Sequence, residues 1–183
     1  MSQEYSPSQL PILNFAKASA QLEGSVALQS MERLRAESLD SNDTEPVHFS
    51  ALGALVDDAA GVPEPWVHLK GSAVLKVTCQ RCLAPMDLAV AFERDFRFVA
   101  TEALAEVEDE ESDEDVLVLS REFDLVQLVE DELLMAVDPV PMHEVCPVPP
   151  KLQTADAGFE EAGGSEAPHP FAALQALKKK DVG

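Results

Sequence analysis

The chain has 183 residues, with 13 Lys and Arg against 34 Asp and Glu, a formal net charge of −21, and 46% apolar but only 5% aromatic residues. That length suits one ordinary domain, or a small domain with long extensions, around a core built mostly from Val, Leu and Ala. So negative a chain argues against a broad nucleic-acid-binding face, which needs cations to release counterions, and against adsorption to anionic lipid.

No apolar run approaches the roughly 18 to 20 residues that cross a bilayer. The first residues, Met1-Ser2-Gln3-Glu4-Tyr5, lack the basic and apolar regions of a secretory signal. Three cysteines are an odd count for a disulfide framework. The expected compartment is the cytoplasm, with no membrane and no small-molecule substrate.

Residues 1–12 are polar, hold Pro7 and Pro11, and read as a flexible lead-in. From Asn14 to Glu37 the composition reads as helical, with Leu22, Val26, Met31 and Leu34 on one stripe and Gly24 breaking the segment in two. Strand patterns follow. Val47, Phe49, Ala51, Gly53 and Leu55 share one parity, with a turn over 57–65. Val67, Leu69, Gly71, Ala73, Leu75 and Val77 form one face of the next strand, while its other face is polar. After the link Cys79-Gln80-Arg81-Cys82-Leu83-Ala84-Pro85, alternation resumes at Met86, Leu88, Val90, Phe92, Phe96 and Phe98. Two strands around a short link predict an antiparallel hairpin.

Nine of the fourteen residues from 102 to 115 are acidic, a self-repelling block expected to be a mobile loop. Val116 to Leu119 suggest a further strand. Asp124 is placed as a helix N-cap with Gln127 three residues on, and the helix is expected over 124–137. Val126, Val129, Leu133 and Val137 form its buried stripe, while Glu130 and Asp131 point outward, to solvent or a basic partner. Pro139 and Pro141 end it. The fold class is therefore α+β: a single domain over 13–140, with an N-terminal helical segment, an antiparallel sheet of about three to five strands and one amphipathic helix. Residues 141–183 read as a low-complexity tail. Its end carries Phe171, Leu174 and Leu177, then Lys178, Lys179 and Lys180. That is either a short motif that becomes ordered against a partner or a solubilising end.

Cys79 and Cys82 have the C-x2-C spacing that lets two thiolates reach one metal from a tight turn. A four-ligand site needs His143 and Cys146 as its second half, and no local feature of the sequence brings them back to the hairpin. The plainer reading makes the cysteines small, partly buried residues at a hairpin end, so no cofactor is expected and zinc is the alternative. Redox chemistry fits least, because a strand rather than a helix follows the pair. There is no Gly-rich phosphate loop, no G-x-S-x-G and no H-E-x-x-H. The acidic run lacks the ligand spacing of a calcium loop. A basic patch of Lys70, Lys76, Arg81 and Arg94 or Arg97 on the paired strands offers a local phosphate contact. Pairing with the surplus carboxylates is the favoured alternative.

Three stretches carry a family resemblance: Val77-Thr78-Cys79-Gln80-Arg81-Cys82; the helix Phe123-Asp124-Leu125-Val126-Gln127-Leu128-Val129-Glu130-Asp131-Glu132-Leu133 with the following Pro139-Val140-Pro141-Met142-His143; and the terminal Pro170-Phe171-Ala172-Ala173-Leu174-Gln175-Ala176-Leu177-Lys178-Lys179. Together, over residues 10 to 180, they resemble the bacterial YceD family, the large ribosomal RNA subunit accumulation proteins. The resemblance implies a non-enzymatic role in synthesis, processing or stability of 23S rRNA. Some members carry a second cysteine pair after the helix; this chain has Cys146 alone there, followed by Pro-Val-Pro. The charge favours a protein–protein mechanism, with a basic ribosomal protein or rRNA-processing factor as partner, or with pre-rRNA contacted as well. The partner-binding residues expected are Arg81, Glu130, Asp131, Phe171, Lys178, Lys179 and Lys180. The alternatives are a zinc-stabilised module that binds RNA directly and a metal-dependent nuclease.

Overall fold

A computed structural model describes residues 5–39, 45–58, 60–110, 112 and 114–149. The expectations for Phe171 and Lys178–Lys180 lie outside them. The described elements, in chain order, are helix α1 (Ile12–Lys17), strand β1 (Gln21–Ala27), helix α2 (Glu32–Ala36), strands β2 (Pro46–Asp57), β3 (Pro63–Thr78) and β4 (Pro85–Val99), helix α3 (Glu102–Asp109), strand β5 (Asp115–Val118) and helix α4 (Leu125–Ala136).

The five strands make one sheet in the order β1-β2-β3-β4-β5. β1 to β4 pair antiparallel, as the alternating faces predicted, but β5 runs parallel to β4. A parallel neighbour needs a crossover connection, usually helical, and α3 supplies it. The acidic block therefore is not a loop over Glu102–Asp109. Thr101 caps the helix by accepting from the Leu104 N–H at 3.3 Å, and Ala105 packs with Val99 and Val116. Two carboxylates are drawn inward as well: Glu108 pairs with Arg97, and Asp109 Oδ1 accepts from Val116 N–H at 3.1 Å.

The N-terminal third also differs from the expectation of helix. Residues 21–27 form a strand, because α1 ends at Lys17 and Ser19, with a φ of 44°, turns the chain back without a glycine. Gly24 is not a helix breaker. It sits opposite Phe49, and a Cβ there would lie 2.8 Å from Phe49 Cζ. The lead-in is likewise structured from Pro7 on. Leu10 and Ile12 are fully buried, and Leu10 exchanges backbone hydrogen bonds of 2.8 and 3.1 Å with Phe123, just before α4.

The core lies on one face of the sheet. Val67, Leu69 and Leu75 of β3 and Phe96 and Phe98 of β4 meet Ile12 and Phe15 of α1 and Leu125, Val129 and Leu133 of α4. α3 packs on the opposite face, over Val99 and Val116. α4 has the expected N-cap, with Asp124 Oδ1 accepting from Gln127 N–H at 3.1 Å. Its outward side is not as expected. Glu130 is buried because its carboxylate caps α2, accepting from the N–H groups of Arg33 (2.8 Å) and Leu34 (3.1 Å). Asp131 pairs with the Arg33 guanidinium. Between α4 and Pro149 the described residues form no helix or strand, but they belong to the same compact unit as the sheet, so the body of the fold extends beyond residue 140.

Candidate metal centre

The β3–β4 turn is a tight knuckle. Cys79 N–H donates to the Ala84 carbonyl and Leu83 N–H to the Cys79 carbonyl, each at 2.9 Å. Leu83 takes a left-handed φ of 60°, a conformation that costs a branched residue about 1 to 2 kcal/mol. That cost brings Cys82 back beside Cys79. Pro139 and Pro141 keep the chain after α4 from continuing as helix. The buried Pro141 carbonyl accepts from Gln80 N–H at 2.8 Å, which seats the returning segment along the knuckle.

Residues 143–146 thereby reach the hairpin. The ligand atoms of Cys79, Cys82, His143 and Cys146 all lie within 4.8 Å of one another. Zinc bonds of about 2.3 Å to sulfur and 2.0 Å to nitrogen put tetrahedral neighbours roughly 3.5 to 3.8 Å apart. A bound ion thus has to draw the cluster in by about an ångström at most. Cys82 Sγ is already 3.5 Å from His143 Nδ1, and Cys79 Sγ accepts from His143 N–H at 3.4 Å.

The electrostatics suit a thiolate at Cys79. Burial pushes the Cys79 thiol up, but the backbone N–H groups of His143, Cys82 and Arg81 outweigh it and bring it down to about 5. The Ala84 backbone draws Cys82 down, while burial and the sulfurs of Cys146 and Cys79 more than offset this and raise it. Three sulfurs this close share negative charge poorly until a cation joins them. Arg81 is one such cation. Its Nε donates to Cys146 Sγ at 3.1 Å, and its Nη2 donates to the carbonyls of His143 (2.6 Å) and Glu144 (3.2 Å). Three thiolates and an imidazole are the donor set of a closed structural zinc site, with no coordination position left for substrate.

The two halves that the sequence left apart are therefore brought together: Cys79 and Cys82 cluster with His143 and Cys146, a donor set suited to a metal ion. The basic patch resolves the other way. Lys70 pairs with Glu93, Lys76 with Asp87, Arg94 with Asp115 and Glu132, and Arg97 with Glu64 and Glu108. The sequence reading missed Glu132, which is buried and meets Arg94 at 3.2 Å; its place seven residues on from Leu125 and four on from Leu128, in line with apolar residues beside the predicted stripe, was the available signal. On the sheet face opposite the core, Glu23, His48, Ser50, Lys70, Ser72 and Glu93 line an open trough of about 730 Å³.

The profile of the family described as large ribosomal RNA subunit accumulation protein YceD matches residues 67–178. A relative from Haemophilus influenzae, also described as large ribosomal RNA subunit accumulation protein YceD, is 34% identical over 122 residues, covering 64% of this chain and 69% of that protein. No solved structure matches the chain. Since the matched span takes in β3, the cysteine knuckle, α4 and the segment that returns to the knuckle, the chain belongs to the YceD family.

Proposed function

We propose that this chain is a non-enzymatic factor of the cytoplasm that supports accumulation of 23S rRNA, and so of large ribosomal subunits, by holding protein partners. Membership of the YceD family carries the reading. The charge of −21 and the intramolecular pairing of the sheet's cations favour protein over RNA as the surface it grips. In this reading Cys79, Cys82, His143 and Cys146 hold zinc, which fixes the knuckle and the returning segment as one rigid end. Among the described residues, no helix is long and apolar enough to cross a membrane.

The test is depletion of the protein, followed by quantification of 23S against 16S rRNA and of free subunits on gradients. A selective shortage of 23S rRNA and large subunits is expected; balanced subunits would overturn the reading. The second reading, a zinc-stabilised module that binds RNA directly, draws on the same four-ligand cluster. Titration of the zinc-loaded protein with 23S rRNA fragments separates the two, since the first expects no binding at physiological salt.

A further inference from the structure

α3 is held to the sheet by one side. Ala105, Glu108 and Asp109 make the inward contacts, through Val99 and Val116, Arg97, and the Val116 N–H respectively. At about 100° per residue these three positions occupy one side of the helix. The opposite side is centred on Ala103 and Val107, with Leu104 beside them. An amphipathic surface helix buries its aliphatic residues and presents its charges. Here the aliphatic residues face out, with Leu104 45% and Val107 61% exposed. Along the adjoining ridge, four residues apart, run Glu102, Glu106 and Glu110.

The charge on this surface has one sign. The sequence has no Lys or Arg between Arg97 and Arg121, and Arg97 is turned inward to Glu64 and Glu108. A single exposed aliphatic side chain needs no explanation. Two on successive turns, beside a carboxylate ridge, are complementary to a segment with aliphatic residues on one strip and Lys or Arg on the next. Phosphates of RNA or of an anionic bilayer would be repelled from the same ridge.

We propose that the outer face of α3, Leu104 and Val107 with Glu102, Glu106 and Glu110, is the docking surface for a basic amphipathic segment of a protein partner. It rests on the reading of the chain as a protein-binding assembly factor and names the surface and chemistry involved. The carboxylates steer the encounter, and the aliphatic pair gives the contact its dry centre.

The experiment uses the full chain, immobilised, with the salt-extracted proteins of purified large ribosomal subunits as the probe and mass spectrometry as the readout. Leu104→Ser/Val107→Ser removes the aliphatic strip and keeps the charge. Glu102→Gln/Glu106→Gln/Glu110→Gln does the reverse. Glu23→Gln/Glu37→Gln/Glu122→Gln removes equal charge elsewhere. The wild type is expected to retain a defined subset of basic proteins. Both α3 variants should weaken that retention by about tenfold or more, and the control should leave it nearly unchanged. Equal loss in the control, unchanged retention in the α3 variants, or retention of 23S rRNA fragments or anionic vesicles in place of protein would each overturn the proposal. Unaltered circular dichroism and metal content show that the α3 variants are folded. Cells separate the two levels. If depletion leaves subunits balanced, the functional reading fails; if depletion unbalances them and both α3 variants restore the balance, the surface fails alone.

Discussion

Two carboxylates two residues apart on α4 do opposite things, and both depend on burial. Glu130 leaves its own helix to cap another. α2 follows Met31, whose side chain offers no cap, so the N–H groups of Arg33 and Leu34 would lack acceptors without Glu130. Glu130→Ala is therefore expected to lower unfolding free energy by about 2 to 3 kcal/mol, as a lost cap and a stranded pair of donors. Glu130→Gln keeps one acceptor oxygen and should lose less. Urea midpoints compare them, and equal losses would remove the capping role. Glu132 instead carries an electrostatic penalty. Burial raises its pKa, and Arg94, which pulls it down, only partly offsets this. The folded state thus binds the Glu132 proton more tightly than the unfolded chain does. Stability is lost as pH rises from the ordinary carboxylate value of 4.5 through the raised one. Glu132→Gln has no such proton to lose. Its stability relative to wild type should climb between about pH 4 and pH 7, read by denaturant titration across that range. Parallel curves would show that this carboxylate does not set the slope.

Between elements, the sheet is shaped by glycines that lie beneath aromatic rings. Gly71 of β3 faces Phe92 of β4, and a Cβ on Gly71 would come 2.3 Å from Phe92 Cε1. Gly71→Ala should cost about 1 to 3 kcal/mol by forcing the ring aside. In a Phe92→Ala background the same change should cost almost nothing, because the space is free. A double-mutant cycle measures that coupling, and additive losses would refute the steric account. These pairs also explain what was legible. β2, β3 and β4 each have one wet face, so strict alternation exposed them and their buried parity. β1 was hidden because Gly24, which makes room for a cross-strand ring, reads locally as a helix breaker, and because Ser19 makes the preceding turn at a φ usually left to glycine. α3 was hidden by its charge, since the partners that make an acidic helix tolerable, Arg97 and the Val116 N–H, come from other elements. The C-x2-C and H-x2-C halves of the candidate metal centre were both visible. Their meeting was not, because the segment returns on backbone groups, Gln80 N–H to the Pro141 carbonyl and Arg81 to the carbonyls of His143 and Glu144, and a carbonyl carries no residue code.

Across the whole molecule, α4 is fastened at both ends. The Leu10–Phe123 bridge ties its start to the N-terminal segment, and the cysteine knuckle ties the chain beyond its end to the β3–β4 hairpin. The second fastening joins Cys82 to His143, 61 positions further along the chain, and closes a loop that contains β4, α3, β5 and α4. Closing so long a loop removes conformational freedom from the unfolded chain, as a disulfide would. It does so in a molecule whose charge of −21 works against compaction. A metal that binds only the folded state adds about 4 kcal/mol at a thousandfold excess over its dissociation constant. Chelation of the zinc-loaded protein, or Cys82→Ser, is therefore expected to lower the melting temperature and to make that temperature depend on added zinc. The loss should also be local first. The Gln80 amide, held by the Pro141 carbonyl, should exchange faster without metal, while amides in the β1–β2 pairing, on the far side of the sheet, keep their protection. Hydrogen exchange with and without chelator reads both. If the midpoint and the Gln80 amide are the same in the two states, the knuckle holds by hydrogen bonds alone and the metal has no part in closing the fold.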